Sequence, residues 1–146
     1  MEGRFLGLPT IAVSLVGHTL VGAELTHFET AAHVASQLVK KIGKAPFPSD
    51  MVLNVNVPNI PLHELKGVKA TRLGFRHKSE QVLKDKDPYG RTIYWVGPAG
   101  AGQDAGEGTD FRAVEQGFAS VTPLRVDLTR HEAVDGLSAW LDGAGE

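Results

Sequence analysis

Seven residues, Thr10 to Val16, constrain this chain more than any others. The run TIAVSLV is apolar at both odd and even positions, rich in β-branched residues, and closed by Pro9 and Gly17. Too short for a helix and without alternation, it predicts a strand covered on both faces, as in a parallel α/β sheet. The segment THFETAAHVASQLVKKIG follows, with Phe28, Ala31, Ala32, Ala35, Leu38, Val39 and Ile42 at helical spacing on one face. Thr26 with Glu29 forms a capping-box pattern at its start; Lys40 and Lys41 suit the last turn, and Gly43 then Pro46 stop it. MVLNVNVP is a second strand, with Leu53, Val55 and Val57 on one face and Val52, Asn54 and Asn56 on the other. Strand, helix, strand predicts a right-handed parallel unit.

The remainder is more broken. GVKATRLGFRH reads as a third, more polar strand, and DPYG at residues 87–90 as a type I turn between EQVLKD and RTIYWVG. That hairpin is mixed on both faces and is expected to project from the core. Residues 97–108, GPAGAGQDAGEG, read as a flexible loop before a short helix that Thr109 caps and Gly117 ends. FASVTPLRV is the last strand. A second capping-box pattern, Thr129 with Glu132, starts a final helix in which Val134, Leu137 and Leu141 share a face beside Trp140. With 146 residues, 42% hydrophobic and 22% charged, and no internal repeat, the chain reads as one α/β domain. Its core is expected over about 1–75 and 109–126, its hairpin over about 78–97, and a C-terminal helical arm over about 127–146.

Several functional classes lose support at this point. A formal charge of −2 offers no basic footprint for nucleic acid, and zero cysteines remove disulfides, thiolate metal sites and a thiol nucleophile. No long apolar span or secretory leader is visible, so neither membrane nor export is expected and a cytoplasmic location is. Gly100, Gly102 and Gly106 give G-x-G-x-x-x-G, which is neither a dinucleotide fingerprint nor a P-loop. His27 and His33 are six apart and face different sides of a helix, and His18 stands alone after the first strand. Asp85 and Asp87 suit a solvated hairpin tip; Asp104, Glu107 and Asp110 surround the glycine loop, Asp110 as a helix-dipole partner. Ser14 lacks the glycines of a nucleophile elbow. Spacing alone therefore assembles no catalytic site and no metal site. Tyr94 and Trp95 alternate faces on the hairpin, so one ring must meet either the chain's own core or another surface. The final helix is marginal alone and must dock somewhere.

The pieces MEGRFLGLPTIAVSL, LNVNVPNIPL, KGVKATRLGFRH, YWVGPAG, GTDFRAVEQGFASVTPL and VDLTRHEAV together resemble the SurE family of stationary-phase survival proteins. The resemblance covers essentially the whole chain; GTDFRAV followed by SVTPL is its most specific part. It implies a metal-dependent 5'-nucleotidase acting on nucleoside monophosphates. It further implies the C-terminal part of a Rossmann-like α/β fold, with a projecting β-hairpin and a C-terminal arm used in homodimers or homotetramers.

The family's Asn-Asp-Asp-Gly segment, metal-binding serine and Ser-Gly-x-Asn-x-Gly-x-Asn loop do not occur here. Met1 accordingly reads as an internal methionine of a longer protein. Divalent metal, Mg or Mn, is expected in that protein and not on this chain alone, which is expected to be inactive by itself. Gly108, Thr109 and Asp110 are then substrate neighbours, although a capped helix behind a loop explains them equally. Tyr94 and Trp95 become assembly contacts, and Asp127 and His131, four apart, a pair that fixes the angle of the arm. The alternative is a non-catalytic oligomerisation or binding module that uses the hairpin and arm.

Overall fold

The computed structural model describes residues 2–17, 25–45, 47–48, 50–77, 82–96 and 100–143. A short helix α1 (Glu2–Phe5) leads into strand β1 (Thr10–Val16), and helix α2 (Phe28–Ile42) connects that to β2 (Met51–Pro58). β1 and β2 run parallel over seven matched pairs, from Thr10 opposite Val52 to Val16 opposite Pro58. The parallel strand, helix, strand unit expected from the sequence is therefore present. β8 (Ala119–Arg125) lies antiparallel on the other edge of β2, and β3 (Val68–Ala70) runs parallel to β8, giving the order β1-β2-β8-β3.

Burial follows from that order. Leu53, Val55 and Val57 meet Ala31 and Val34 of α2 and Ala119 of β8 in one core cluster, flanked by Ile11, Leu15, Leu38 and Phe47. The opposite face of β2 is covered by α3 (Asp110–Glu115), whose Ala113 is buried. β1 departs from the expectation. Ala12, Val13, Ser14 and Val16 are exposed, and only Thr10, Ile11 and Leu15 are partly covered. An apolar run specifies a strand, but its cover must come from neighbours: among the described residues β1 has a strand on one edge only, and α3 packs on β2 and β8 instead.

The third strand is also not continuous. The chain forms β3, bends through residues 71–74, and resumes as β4 (Phe75–Arg76), which leaves the sheet to pair antiparallel with β7 (Gly102–Asp104). The glycine segment is thus partly strand: β7 lies inside it, while residues 97–99 fall outside the described residues. A Cβ on Gly74 would strike the backbone oxygen of Asp104 and the Phe111 ring, so this bend depends on glycine.

Between β4 and β7, β5 (Leu83–Lys86) and β6 (Thr92–Trp95) form a separate two-stranded sheet. Its tip is the expected turn. Gly90 N–H donates to Asp87 C=O at 2.9 Å, Gly90 takes φ +80°, and the Asp87 carboxylate accepts from Tyr89 N, Arg91 N and Arg91 Nε.

Neither capping box forms. His27, not Thr26, precedes α2, and the Oδ1 of Asn59 accepts from the backbone N–H groups of both Thr26 and His27. Thr30 Oγ1 adds a 2.8 Å bond to Ile60 C=O, so a distant loop organises that terminus. At the second site Thr129 N–H donates to Asp127 Oδ1 at 2.9 Å, a short 3₁₀ turn intervenes, and α4 (Val134–Gly143) begins only at Val134. Local Asx geometry has displaced the reciprocal box. α4 buries no residue; Val134, Leu137, Trp140 and Leu141 all stand exposed.

Candidate functional site

Parallel β1 and β2 end together at Val16 and Pro58, and in open α/β sheets ligands gather at the carboxyl ends of such strands. Two clefts open there. One, of about 370 Å³, is lined by Val16, Asn56, Arg76, Asp110, Phe111, Val114 and Glu115. Another, of about 330 Å³, runs from Val16 and Gly17 past Pro58 and Ile60 to Val114 and Gly117.

Asp110 lines the first of these clefts, and Gly108 and Thr109 lead into it. Gly108 takes φ +79°, which lets its carbonyl accept from Arg72 N–H at 3.0 Å. Thr109 is fully buried and caps α3 as the sequence predicts: its Oγ1 accepts from Arg112 N–H at 3.2 Å while donating to Gly106 C=O at 2.7 Å. Asp110 returns a backbone bond to Arg72 C=O at 3.0 Å. Its carboxylate accepts from Gly74 N–H at 2.8 Å, from its own neighbour Phe111 N–H at 3.0 Å, and from Asn56 Nδ2 at 3.4 Å. Asp110 is therefore more than a dipole partner: it staples β2, the bend before β4 and α3 to one another. A half-buried Asn inside an apolar strand is the signal that could have pointed to such a partner. The three residues do not share one cavity, since Gly108 and Thr109 border a separate cleft beside Lys69 and Arg112.

Next to this staple Arg72 makes a two-pronged pair with Asp104 across the start of the excursion, its Nη2 lying 2.9 Å from Oδ1. The Arg72 hydrogen bond holds the Asp104 carboxyl below its ordinary range, and Asp104 raises Arg72 in return. Arg76 then stacks over the Phe111 ring at 4.9 Å.

Tyr94 and Trp95 lie at the end of the hairpin ladder away from its tip, opposite Lys84 and Leu83, and are 64% and 59% exposed. Asp127 and His131 do pair: His131 Nε2 donates to Asp127 Oδ2 at 2.7 Å at the root of the arm. That bond, with further help from Thr129 and Arg125, lowers the Asp127 carboxyl to about 2. Among the described residues no three His, Asp or Glu side chains converge to hold a cation, and His18 lies outside them. Hard divalent cations need several free oxygen ligands, whereas of the two carboxylates lining these clefts Asp110 is already taken by three donors and Glu115 is paired with Arg112 Nη1 at 2.6 Å. The described residues do not fit a metal centre. No helix among them is long and apolar enough to cross a membrane.

A mixed α/β sheet with a cleft at the carboxyl end of its parallel pair, an excursion bearing a hairpin, and a terminal arm define a Rossmann-like α/β protein. Residues 1–80 match the family model described as "Survival protein SurE". The 5'-nucleotidase SurE of Aeromonas hydrophila is 55% identical over 144 residues, covering 99% of this chain and 54% of that protein. Its counterpart from Nitrosococcus oceani is 58% identical over 141 residues, covering 97% of this chain and 54% of that protein. The crystal structure of SurE from Aquifex aeolicus superposes with a TM-score of 0.72 at 42% identity, covering 95% of this chain and 54% of that one. The chain belongs to the SurE family. It spans about half the length of the relatives it matches.

Proposed function

We propose that this chain is the C-terminal portion of a cytoplasmic SurE-type 5'-nucleotidase, which hydrolyses nucleoside monophosphates to nucleoside and phosphate with a divalent metal, Mg²⁺ or Mn²⁺. The observation that carries this reading is identity of 55% and 58%, across nearly the whole chain, to proteins named as 5'-nucleotidases. No residue of this chain is assigned to hold the metal, and the chain alone is inactive. In the complete protein Gly108, Thr109 and Asp110 border the substrate, with Asp110 acting as a positioning residue through Asn56 and Gly74.

The test joins this chain, behind residue 1, to the portion of the Aeromonas hydrophila relative that it does not match. Release of phosphate from AMP or GMP with Mn²⁺ is expected from the chimera and not from the chain alone. A chimera that folds but releases none would sink the activity; release by the chain above a heat-killed control would sink its inactivity alone.

A second reading, a non-catalytic assembly module, draws on the exposed aromatic side chains of the hairpin and arm. The two readings share one element: one domain spanning 1–146 that assembles into a homodimer or homotetramer through Tyr94, Trp95 and the arm rooted at Asp127 and His131. The double variant Asp127→Ala with His131→Ala is expected to change the assembly state measured by light scattering. An unchanged mass removes that role for the pair.

A further inference from the structure

At the end of the sheet where β2 begins, Met51 lies opposite Arg125, the last residue of β8, and a cleft of about 290 Å³ opens there at the root of the arm. Arg4 of α1, Asp50, Arg125, Asp127, Thr129 and His131 line it. Among the described residues neither guanidinium has an acceptor: Arg4 Nε is buried without a hydrogen bond, and Arg125 forms no ion pair. Buried donors are nearly always satisfied, so an unpaired one beside a second guanidinium without an acceptor asks for an anion. The two carboxylates of the cleft do not supply it. Asp127 is taken by His131 Nε2 at 2.7 Å and by Thr129 N–H at 2.9 Å, and acts on Arg125 only through space. Asp50 is exposed and, among the described residues, pairs with neither arginine.

We propose that this cleft binds a phosphate-class oxyanion, clamped between the guanidinium groups of Arg4 and Arg125 at the root of the arm. A guanidinium presents a planar fork of N–H donors that matches phosphate oxygens. One fork suffices for a carboxylate, whose two oxygens lie in one plane. Two forks from separate elements suit a tetrahedral group with oxygens directed at both. Free phosphate and the phosphoryl group of a nucleotide share that chemistry. The consequence is mechanical: Arg4 comes from α1 and Arg125 from the end of β8, whereas Thr129 and His131 start the arm, so a bound anion ties the body to the arm. Binding there neither requires nor tests the hydrolysis proposed above.

Titrating inorganic phosphate into the isotope-labelled chain at constant ionic strength, with chloride as the balancing anion, reads the site through the amide NMR shifts of Arg4, Arg125 and Thr129. These shifts are expected to saturate together at one half-saturation concentration, and the melting temperature to rise with phosphate. Arg4→Gln and, independently, Arg125→Gln are each expected to raise the half-saturation concentration about tenfold. Arg125 is exposed, so its substitution should leave folding intact, and a thermal melt checks both variants. Asp50→Asn, which removes a competing carboxylate, is expected to lower the half-saturation concentration about twofold, while Lys40→Gln near the end of α2 leaves it unchanged. Acetate is expected to need at least ~10-fold more. AMP beside adenosine separates the two sources: saturation of the same amides by AMP but not adenosine extends the site to nucleotide phosphoryl groups, and no response to either restricts it to the free ion. Shifts that rise linearly with phosphate overturn the proposal, leaving a solvated charge cluster only. So does acetate binding as tightly as phosphate, or half-saturation indifferent to both arginine substitutions.

Discussion

β1 and β2 are adjacent, parallel and built from the same kinds of residue, yet they occupy different environments. Val55, at the centre of β2, is fully buried between α2 and the flanking strands, while its register partner Val13 keeps 39% of its surface open to solvent. What separates them, among the described residues, is the number of neighbours: β2 has a strand on each edge and a helix on each face, β1 one strand and part of one helix. Burial is thus a property of sheet order, which a seven-residue window does not contain.

The largest effect that should sharpen this contrast is truncation at the buried member of the pair. Val55→Ala is expected to cost about 2–3 kcal/mol in denaturant unfolding, from lost transfer free energy plus an unrelaxed cavity. Next comes the staple behind β2: Asp110→Ala leaves the Gly74 and Phe111 N–H groups and the Asn56 amide short of an acceptor, and about 2 kcal/mol of destabilisation is expected in the same assay. Thr109→Ala removes the cap of α3 and should cost about 1 kcal/mol. Val13→Ala, the counterpart of the first variant, should fall within about 0.5 kcal/mol of wild type. If Val13→Ala matched Val55→Ala, β1 would have to be covered in solution and the contrast would fail.

The smallest effect concerns the arm. Asp127 titrates near 2 in the folded chain against an ordinary value of 3.8, so its stabilising contribution is complete above the ordinary value and is lost as pH falls toward 2. The Thr129 amide, which donates to Asp127 Oδ1, should report that loss as a change in NMR shift, and Asp127→Asn should flatten it.

The parts of the fold legible in the sequence are those fixed by local chemistry. The periodicity of residues 28–42 and the apolar runs on either side specify the parallel unit, and Asp, Pro and Gly at the tip specify the hairpin turn. The parts missed depend on residues distant in the chain. Thr26 cannot complete its capping box because Asn59, more than thirty residues on, already holds those N–H groups. GVKATRLGFRH breaks at Gly74 because Asp104 and Phe111 press against that position. Within the candidate site, Thr109 as a cap was readable from its place before a helix. Asp110 as a staple was not, since its partners Asn56 and Gly74 come from two other elements.

The closure at the foot of the excursion bears on how this protein can vary. The chain leaves the body at Phe75 and returns at Asp104, and the two ends are tied by the β4–β7 ladder and the Arg72–Asp104 pair. With its ends fixed, doubling the length between them adds only about 0.6 kcal/mol of closure entropy. Lineages can therefore lengthen, shorten or rewrite the hairpin, and an experimenter can insert a reporter at its tip, while the sheet beneath registers almost nothing.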